Sequence, residues 1–380
     1  MTTSQEATPR SWRERTMRVI GPLLQQLILP VGAIILALLV GAIFILVIGK
    51  NPITAYVALL QGAFGGIFAI GETLENTTPL ILTGLAVAFA FRAKLFNIGA
   101  EGQFLIGALA ATWAGTNLAL PSIIHLPLVM LAGIIAGGLW GGLAGLLKAA
   151  RGVHEVISTI MLNFIALFFI SYMVTGPMKE QSALDIPQTA RMADTAQLIK
   201  ILPPSRLSAG IIIALLAAAF IWWLLWKTTV GYEVRAVGLN YFAAEFGGIK
   251  PNYNMFLAML ISGGLAGLGG AIIISGLFLR YQHGFQPGYG FTAIAVSLVG
   301  ANNPPGVVLA ALLFATLSQG ALGMQNVAGV PQDIVLVIQA LVIFFVAAPQ
   351  IVQALPQWIE KRRAAAQAAA EGAQLEGGPA

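Results

Sequence analysis

Cysteine is absent from all 380 residues. Its absence excludes disulfides, thiolate metal sites and thiol nucleophiles, and leaves the compartment open. Charge is almost as scarce. Asp, Glu, Lys and Arg make up 9% of the chain, where a soluble domain carries about 25%. Between Tyr281 and Gln332 there is no charged residue at all. Such a chain cannot cover its own surface in water, so a set of soluble domains is excluded. Enzyme signatures are missing too. No G-x-x-x-x-G-K-[ST] occurs, so no nucleotide is held by a P-loop, and there is no G-x-S-x-G. His154-Glu155-Val156-Ile157-Ser158 begins like a zinc-protease motif but has Ser158 where the second histidine belongs. Gly288, Gly290 and Ala293 imitate a dinucleotide turn without a preceding strand. The three histidines, His125, His154 and His283, lie far apart in sequence, and interfacial packing at span edges is expected of each. No metal, cofactor or catalytic residue is implied.

What the chain has instead is apolar length. It is 58% hydrophobic, with a mean hydropathy of +0.84 and 43 glycines. The pattern predicts an all-α, polytopic membrane protein with about ten transmembrane helices. The expected spans are 29–48, 77–91, 97–115, 125–147, 156–175, 208–226, 253–275, 288–301, 305–322 and 332–349. The eighth is short and reads as a broken or re-entrant helix, and the glycine-rich stretch 52–70 as a further half-helix. The first apolar run, Leu27 to Ile48, is too long for a signal-peptide core and reads as a retained anchor. The expected organisation is a cytoplasmic arm at 1–26, a transmembrane domain at 27–352 and a cytoplasmic tail at 353–380.

The net charge of +5 and pI near 9.6 point to anionic membrane lipid rather than nucleic acid, because the basic residues sit in loops between apolar spans. With a cytoplasmic N-terminus, all 20 basic residues fall inside except Lys50, Lys179, Arg191, Lys200, Arg206 and Arg280. Four of these exceptions share the long external loop 176–207. Both termini are then cytoplasmic in a cell membrane.

Polar residues at membrane depth are costly and are usually kept for function. The insert Phe91 to Ala111 places Asn97, Glu101 and Gln103 at the start of a span. Asn97 and Gln103 suit hydroxyls, amides or a base edge, and Glu101 either accepts hydrogen bonds or caps its own helix. Asn163 adds another neutral polar group. The competing reading is that these side chains only satisfy local backbone and neighbouring helices. Gly133, Gly137, Gly141 and Gly145 recur every fourth residue, which gives a groove for close helix packing. The turn at Gly99–Gly102 is echoed at Gly300–Asn303, a faint sign of an internal repeat. The loop 227–252 mixes charge with glycine around a short helical stretch, Tyr241 to Phe246, and reads as a surface for docking a soluble partner.

Four separated blocks carry a family resemblance: Thr78 to Ala108, Gly152 to Ala166, Gly231 to Ile249 and Gly290 to Ala315. Over about residues 30–350 the chain resembles ABC-importer permeases of the branched-chain amino acid/ribose type, and within them the nucleoside or simple-sugar permeases. The resemblance implies a transport subunit without its own motor, of prokaryotic origin. Its expected partners are a cytoplasmic ABC ATPase, a second permease subunit and an external substrate-binding lipoprotein. It also makes the 231–249 block the coupling helix, with Arg235, Gly238, Asn240, Ala243, Ala244 and Gly248 as ATPase-docking residues. Tyr241 stands where the family often has proline. Asn97, Glu101, Gln103 and Asn163 become the expected substrate pathway. Nucleosides are the expected cargo. The alternatives are a sugar or branched-chain amino acid on the same permease type, or an ion-coupled secondary transporter.

Overall fold

The computed structural model describes residues 12–181 and 185–348, with side chains from residue 30 onward. The first part of the arm and the whole of the tail at 353–380 lie outside the described residues. The described chain is helical and divides into two compact units. One holds the described parts of residues 1–49 and 336–380; the other is residues 50–335.

In the first unit, α1 (Trp12–Val47) is 36 residues long. At about 1.5 Å per residue it runs on well past the ~30 Å of a hydrocarbon core. It takes in Arg13, Arg15 and Arg18, so the arm is partly helical where a polar extension was expected. Val31, Ile35, Leu39 and Ile43 form an exposed bulky stripe.

The second unit is built around three buried helices, α3 (Ile67–Arg92), α4 (Ala100–Asn117) and α10 (Pro251–Ile273). Around them stand α2 (Pro52–Phe64), α5 (Ser122–Arg151), α6 (Glu155–Thr175), α7 (Gly210–Lys227), α11 (Tyr289–Val299) and α12 (Pro304–Ala328). Two short helices, α8 (Thr229–Leu239) and α9 (Tyr241–Phe246), link α7 to α10. The last helix among the described residues, α13 (Asp333–Ala347), contributes residues to both units.

Ten spans were expected; seven helices among the described residues are long and apolar enough to cross a membrane. The others fall short for separate reasons. At 11 and 15 residues, α11 and α13 are shorter than the ~20 a crossing needs, as is α2 at 13, where a half-helix was expected. The remaining one, α4, is more polar, and it can be because protein rather than lipid surrounds it. In α3 the helix starts ten residues before the expected 77. Residues 71–76 were left outside the expected span, yet Thr73 and Glu75, like Thr77 and Thr78, are buried in the helix. Thr77 and Thr78 return their hydroxyls to the carbonyls of Thr73 and Leu74, at 2.7 and 3.0 Å, and so lose their polarity to the backbone.

The glycine groove of α5 seats α10. A Cβ on Gly137 would stand 2.5 Å from the Gly263 carbonyl oxygen, and one on Gly141 would stand 2.6 Å from that of Met259. Gly263 and Gly267 meet the same seam from the α10 side. The spacing therefore serves close backbone contact. Gly142, one position off the seam, has nothing nearer than the Phe256 ring at 3.4 Å. Gly137→Ala is expected to destabilise the detergent-solubilised protein by about 1–3 kcal/mol. Gly142→Ala is expected to be neutral. Denaturant titration of the two variants side by side checks this.

Candidate functional site

The turn between α3 and α4 enters the bundle with Lys94 at φ 59°, and Arg92 donates from Nε to the Asn302 carbonyl at 2.9 Å. The end of α3 thus touches the turn at Gly300–Asn303. Beyond this turn, α4 begins inside protein, where its first N–H groups need partners that water cannot supply.

Asn97 is the hub. Its Oδ1 accepts from the Gly99 N–H at 3.0 Å and from Gln103 Nε2 at 3.1 Å. Its Nδ2 donates to Gln103 Oε1 and to Ser262 Oγ, both at 2.8 Å. Ser262 passes its own proton to the Ala86 carbonyl at 2.6 Å. Asn97 and Gln103 are thereby paired amide to amide and tied to α10 and α3, and both are buried. Asn163 of α6 does the same from the other side. Its Oδ1 accepts from the Gly102 N–H at 2.9 Å, and its Nδ2 donates to the Ile98 carbonyl at 3.0 Å.

Glu101 caps a neighbour rather than its own helix. Its two carboxylate oxygens accept the Gly288 and Gly290 N–H groups at 3.0 and 2.6 Å, at the start of α11. The negative charge sits at the positive end of that helix. Gly290 must be glycine here, because a Cβ would overlap the Glu101 backbone. All four residues expected in the pathway are therefore brought together around the start of α4, and their polar groups are engaged within the chain.

Beside them lies a cavity of about 230 Å³, lined among others by Glu101, Asn163, Phe164, Leu167, Gln286 and Phe291. A second, of about 110 Å³, follows α6 from there. It shares Leu167 and Gln286 with the first and adds Ser171, Tyr281 and His283. His283 is not simply packed at an edge, since its Nε2 lies 3.0 Å from Ser171 Oγ. One wall of both cavities comes from the segment 279–288, which follows a π-helical turn at Ile274–Phe278. Phe285 holds it inward through ring contacts to Phe104, Phe278 and Tyr281.

The same segment is stitched to the long loop 176–207. Thr189 donates its N–H to the Tyr281 carbonyl, and its hydroxyl accepts the Tyr281 N–H, both at 2.9 Å. Met192 N–H to Leu279 O, His283 N–H to Pro187 O and the ion pair Arg280–Glu180 at 3.2 Å extend the seam. At this end of the bundle Glu75, buried in α3, accepts the Ser208 N–H at 2.8 Å. Gln286 and Glu75 were not singled out in the sequence. Glu75 was hidden by the late start assigned to α3. For Gln286 the available signal was a polar residue two positions before Gly288 at the head of an unusually short apolar run, the same arrangement as Asn97 before α4.

At the opposite end, where Lys94, Lys148 and the α8–α9 elbow meet, the six residues expected to dock a partner share one elbow but do different things. Arg235 lies over the Trp226 ring at 4.3 Å. Gly238 packs on the Arg92 carbonyl so closely that a Cβ would overlap it. Asn240 caps α9 by accepting the Ala243 N–H at 3.1 Å, so the helix starts at Tyr241 without the family's usual proline. Ala243 is exposed and Ala244 is buried. Gly248, at φ +83°, turns the chain back toward α10. The outward face is Leu239, Phe242 and Phe246, which are 84%, 77% and 98% exposed. Those three were not anticipated.

Comparison with known proteins gives a consistent picture. The family described as branched-chain amino acid transport system, permease component, matches residues 69–347. The guanosine ABC transporter permease protein NupP of Bacillus subtilis is 44% identical over 352 residues, which is 90% of this chain and 99% of that one. The nucleoside ABC transporter permease protein NupB of Lactococcus lactis is 38% identical, covering 87% and 93%. The glucose ABC transporter permease protein TsgB13 of Haloferax volcanii is also 38% identical, covering 83% and 86%. No solved structure matches the chain significantly.

Glu101→Ala removes the acceptor of two N–H groups at the head of α11. A loss of about 1–3 kcal/mol is expected for each buried donor left unpaired. Glu101→Gln retains one acceptor oxygen and should lose less. Thermal unfolding in detergent, followed for both variants, tests the ranking.

Proposed function

Since the chain belongs to the branched-chain amino acid transport system permease family, we propose that it is the membrane-spanning subunit of an ATP-driven importer for nucleosides. Near end-to-end similarity to permeases named for guanosine and for nucleosides carries this reading. The cavity beside α4 is compatible with it, being mostly apolar with two aromatic rings and two neutral amides, Asn163 and Gln286, and with its one carboxyl group already engaged. A sugar remains the second reading, because the glucose permease is as similar as one of the nucleoside permeases.

In this proposal the elbow end is cytoplasmic, as are both termini, and the loop 176–207 is external. A separate ABC ATPase hydrolyses ATP. A second permease subunit completes the pathway, and an external substrate-binding lipoprotein delivers cargo. ATP-driven closure of the motor pushes α9. Gly238 and Arg235 pass that push to the α3 end and to Trp226, where a side chain at 238 would jam the joint. Leu239, Phe242 and Phe246 supply the apolar contact, because large exposed apolar side chains at a protein–water boundary mark a docking site. Asn97, Gln103 and Asn163 hold the pathway wall in register, and Glu101 fixes the segment that faces it.

Nucleoside uptake by the assembled importer in sealed vesicles, driven by ATP and dependent on the binding protein, tests the class and the cargo together. Uptake by this subunit alone down an ion gradient would overturn the class. Uptake of glucose and not of nucleosides would overturn the cargo. Asn97→Ala and Gln103→Ala are expected to lower uptake with the protein still folded.

Phe246→Asp with Phe242→Asp is expected to abolish co-purification of the ATPase while the detergent melting point stays unchanged. Arg235→Glu and Gly238→Trp are expected to weaken both co-purification and uptake. An intact complex in all of these variants would place the motor elsewhere.

A further inference from the structure

Around the cavity, nearly every polar side chain is already committed. Asn97, Gln103 and Asn163 use their amides on one another, on Ser262 and on the backbone. Glu101 uses both oxygens on α11, and Ser171 is bonded to His283. These groups hold the walls and have little capacity left for cargo. Gln286 differs. It is exposed, no hydrogen bond to its side chain is found among the described residues, and it is one of two residues common to both cavities. The other is Leu167. Any solute moving along α6 from Ser171 toward Asn163 passes the Gln286 amide. A second group is also uncommitted: Tyr281 lines the smaller cavity, and its buried hydroxyl has no hydrogen-bond partner among the described residues. A buried hydroxyl left that way is costly unless something fills it.

We propose that Gln286 is the cargo-reading residue of this subunit, its amide meeting the edge of a nucleobase as the solute passes between the two cavities. The proposal rests on the nucleoside reading above. A primary amide presents a donor and an acceptor side by side, as base edges do, and a two-bond match of that kind discriminates between bases. Phe164 and Phe291, both about half exposed on the larger cavity, supply faces for the base ring. The chain's own lack of cysteine makes this directly testable, because Gln286→Cys introduces a unique thiol.

In the assembled importer, labelling of the thiol in Gln286→Cys by a maleimide is expected to slow about threefold or more when guanosine or uridine is being transported, as burial of the site by cargo requires. Glucose should not slow it. The same thiol at the exposed neighbouring position, Gln282→Cys, should be indifferent to every solute. Gln286→Leu is expected to lower nucleoside uptake about tenfold and to flatten the preference among bases, the loss of one two-bond contact. Binding-protein-stimulated ATP hydrolysis should stay within about twofold, since the motor contact is untouched. Gln286→Asn should recover part of the preference. Unchanged uptake and base preference in Gln286→Leu, or labelling at 286 that ignores nucleosides, overturns the proposal while leaving nucleoside import standing. Joint loss of uptake and stimulated ATP hydrolysis in both variants assigns Gln286 to the fold and overturns it equally. A wild-type importer that carries no nucleoside defeats the underlying reading, and protection by glucose alone would identify the replacement.

Discussion

A helix that begins inside a membrane protein must find partners for its first N–H groups without water. Most of the second unit's architecture follows from how α4 meets that demand. Asn163 takes the Gly102 N–H, Asn97 takes the Gly99 N–H, and Asn97 is itself held by the amide pair with Gln103 and by Ser262. Each solution recruits a different neighbour, so α3, α6 and α10 are gathered around one point. Glu101 then uses the same point to start α11. Two helices beginning within a few ångströms of each other leave a gap that neither fills, and the cavity along α6 is that gap. Because the members of the network satisfy one another, the cluster holds these helices in one register.

The network also separates holding from reading. Most polar residues nearest the cavity are engaged in structure, and what is left uncommitted is apolar and aromatic surface with the Gln286 amide and the Tyr281 hydroxyl. The elbow of α8 and α9 shows the same division. Arg235, Gly238 and Asn240 set its angle, while Leu239, Phe242 and Phe246 face outward. In both places the residues with the most distinctive sequence signal are the ones that shape the backbone.

That division explains what was legible beforehand. The all-α membrane class, most span positions and the six-residue helix at Tyr241–Phe246 follow from apolar length and glycine punctuation, which are local properties. The importance of Asn97, Glu101, Gln103 and Asn163 was legible because polar groups at membrane depth stand out. Their roles were not, since Glu101 finds its partners 187 and 189 residues away. Of the ten expected spans, seven are long and apolar enough to cross by themselves among the described residues; α11 and α13 are too short, and α4 is more polar because protein surrounds it. Glu75 fell just before the start assigned to α3, and its partner, the Ser208 N–H, lies 133 residues away.

The stitching of Pro187–Met192 to Leu279–His283 carries a consequence for engineering and for divergence. The loop 176–207 and the cavity wall are bonded backbone to backbone, although almost ninety positions separate them in the chain. A chimera that borrows the loop from a relative with different delivery specificity would import half of a backbone pairing and leave the other half mismatched. Grafts should therefore carry both strips together, and lineages that change one strip should be found to have changed the other.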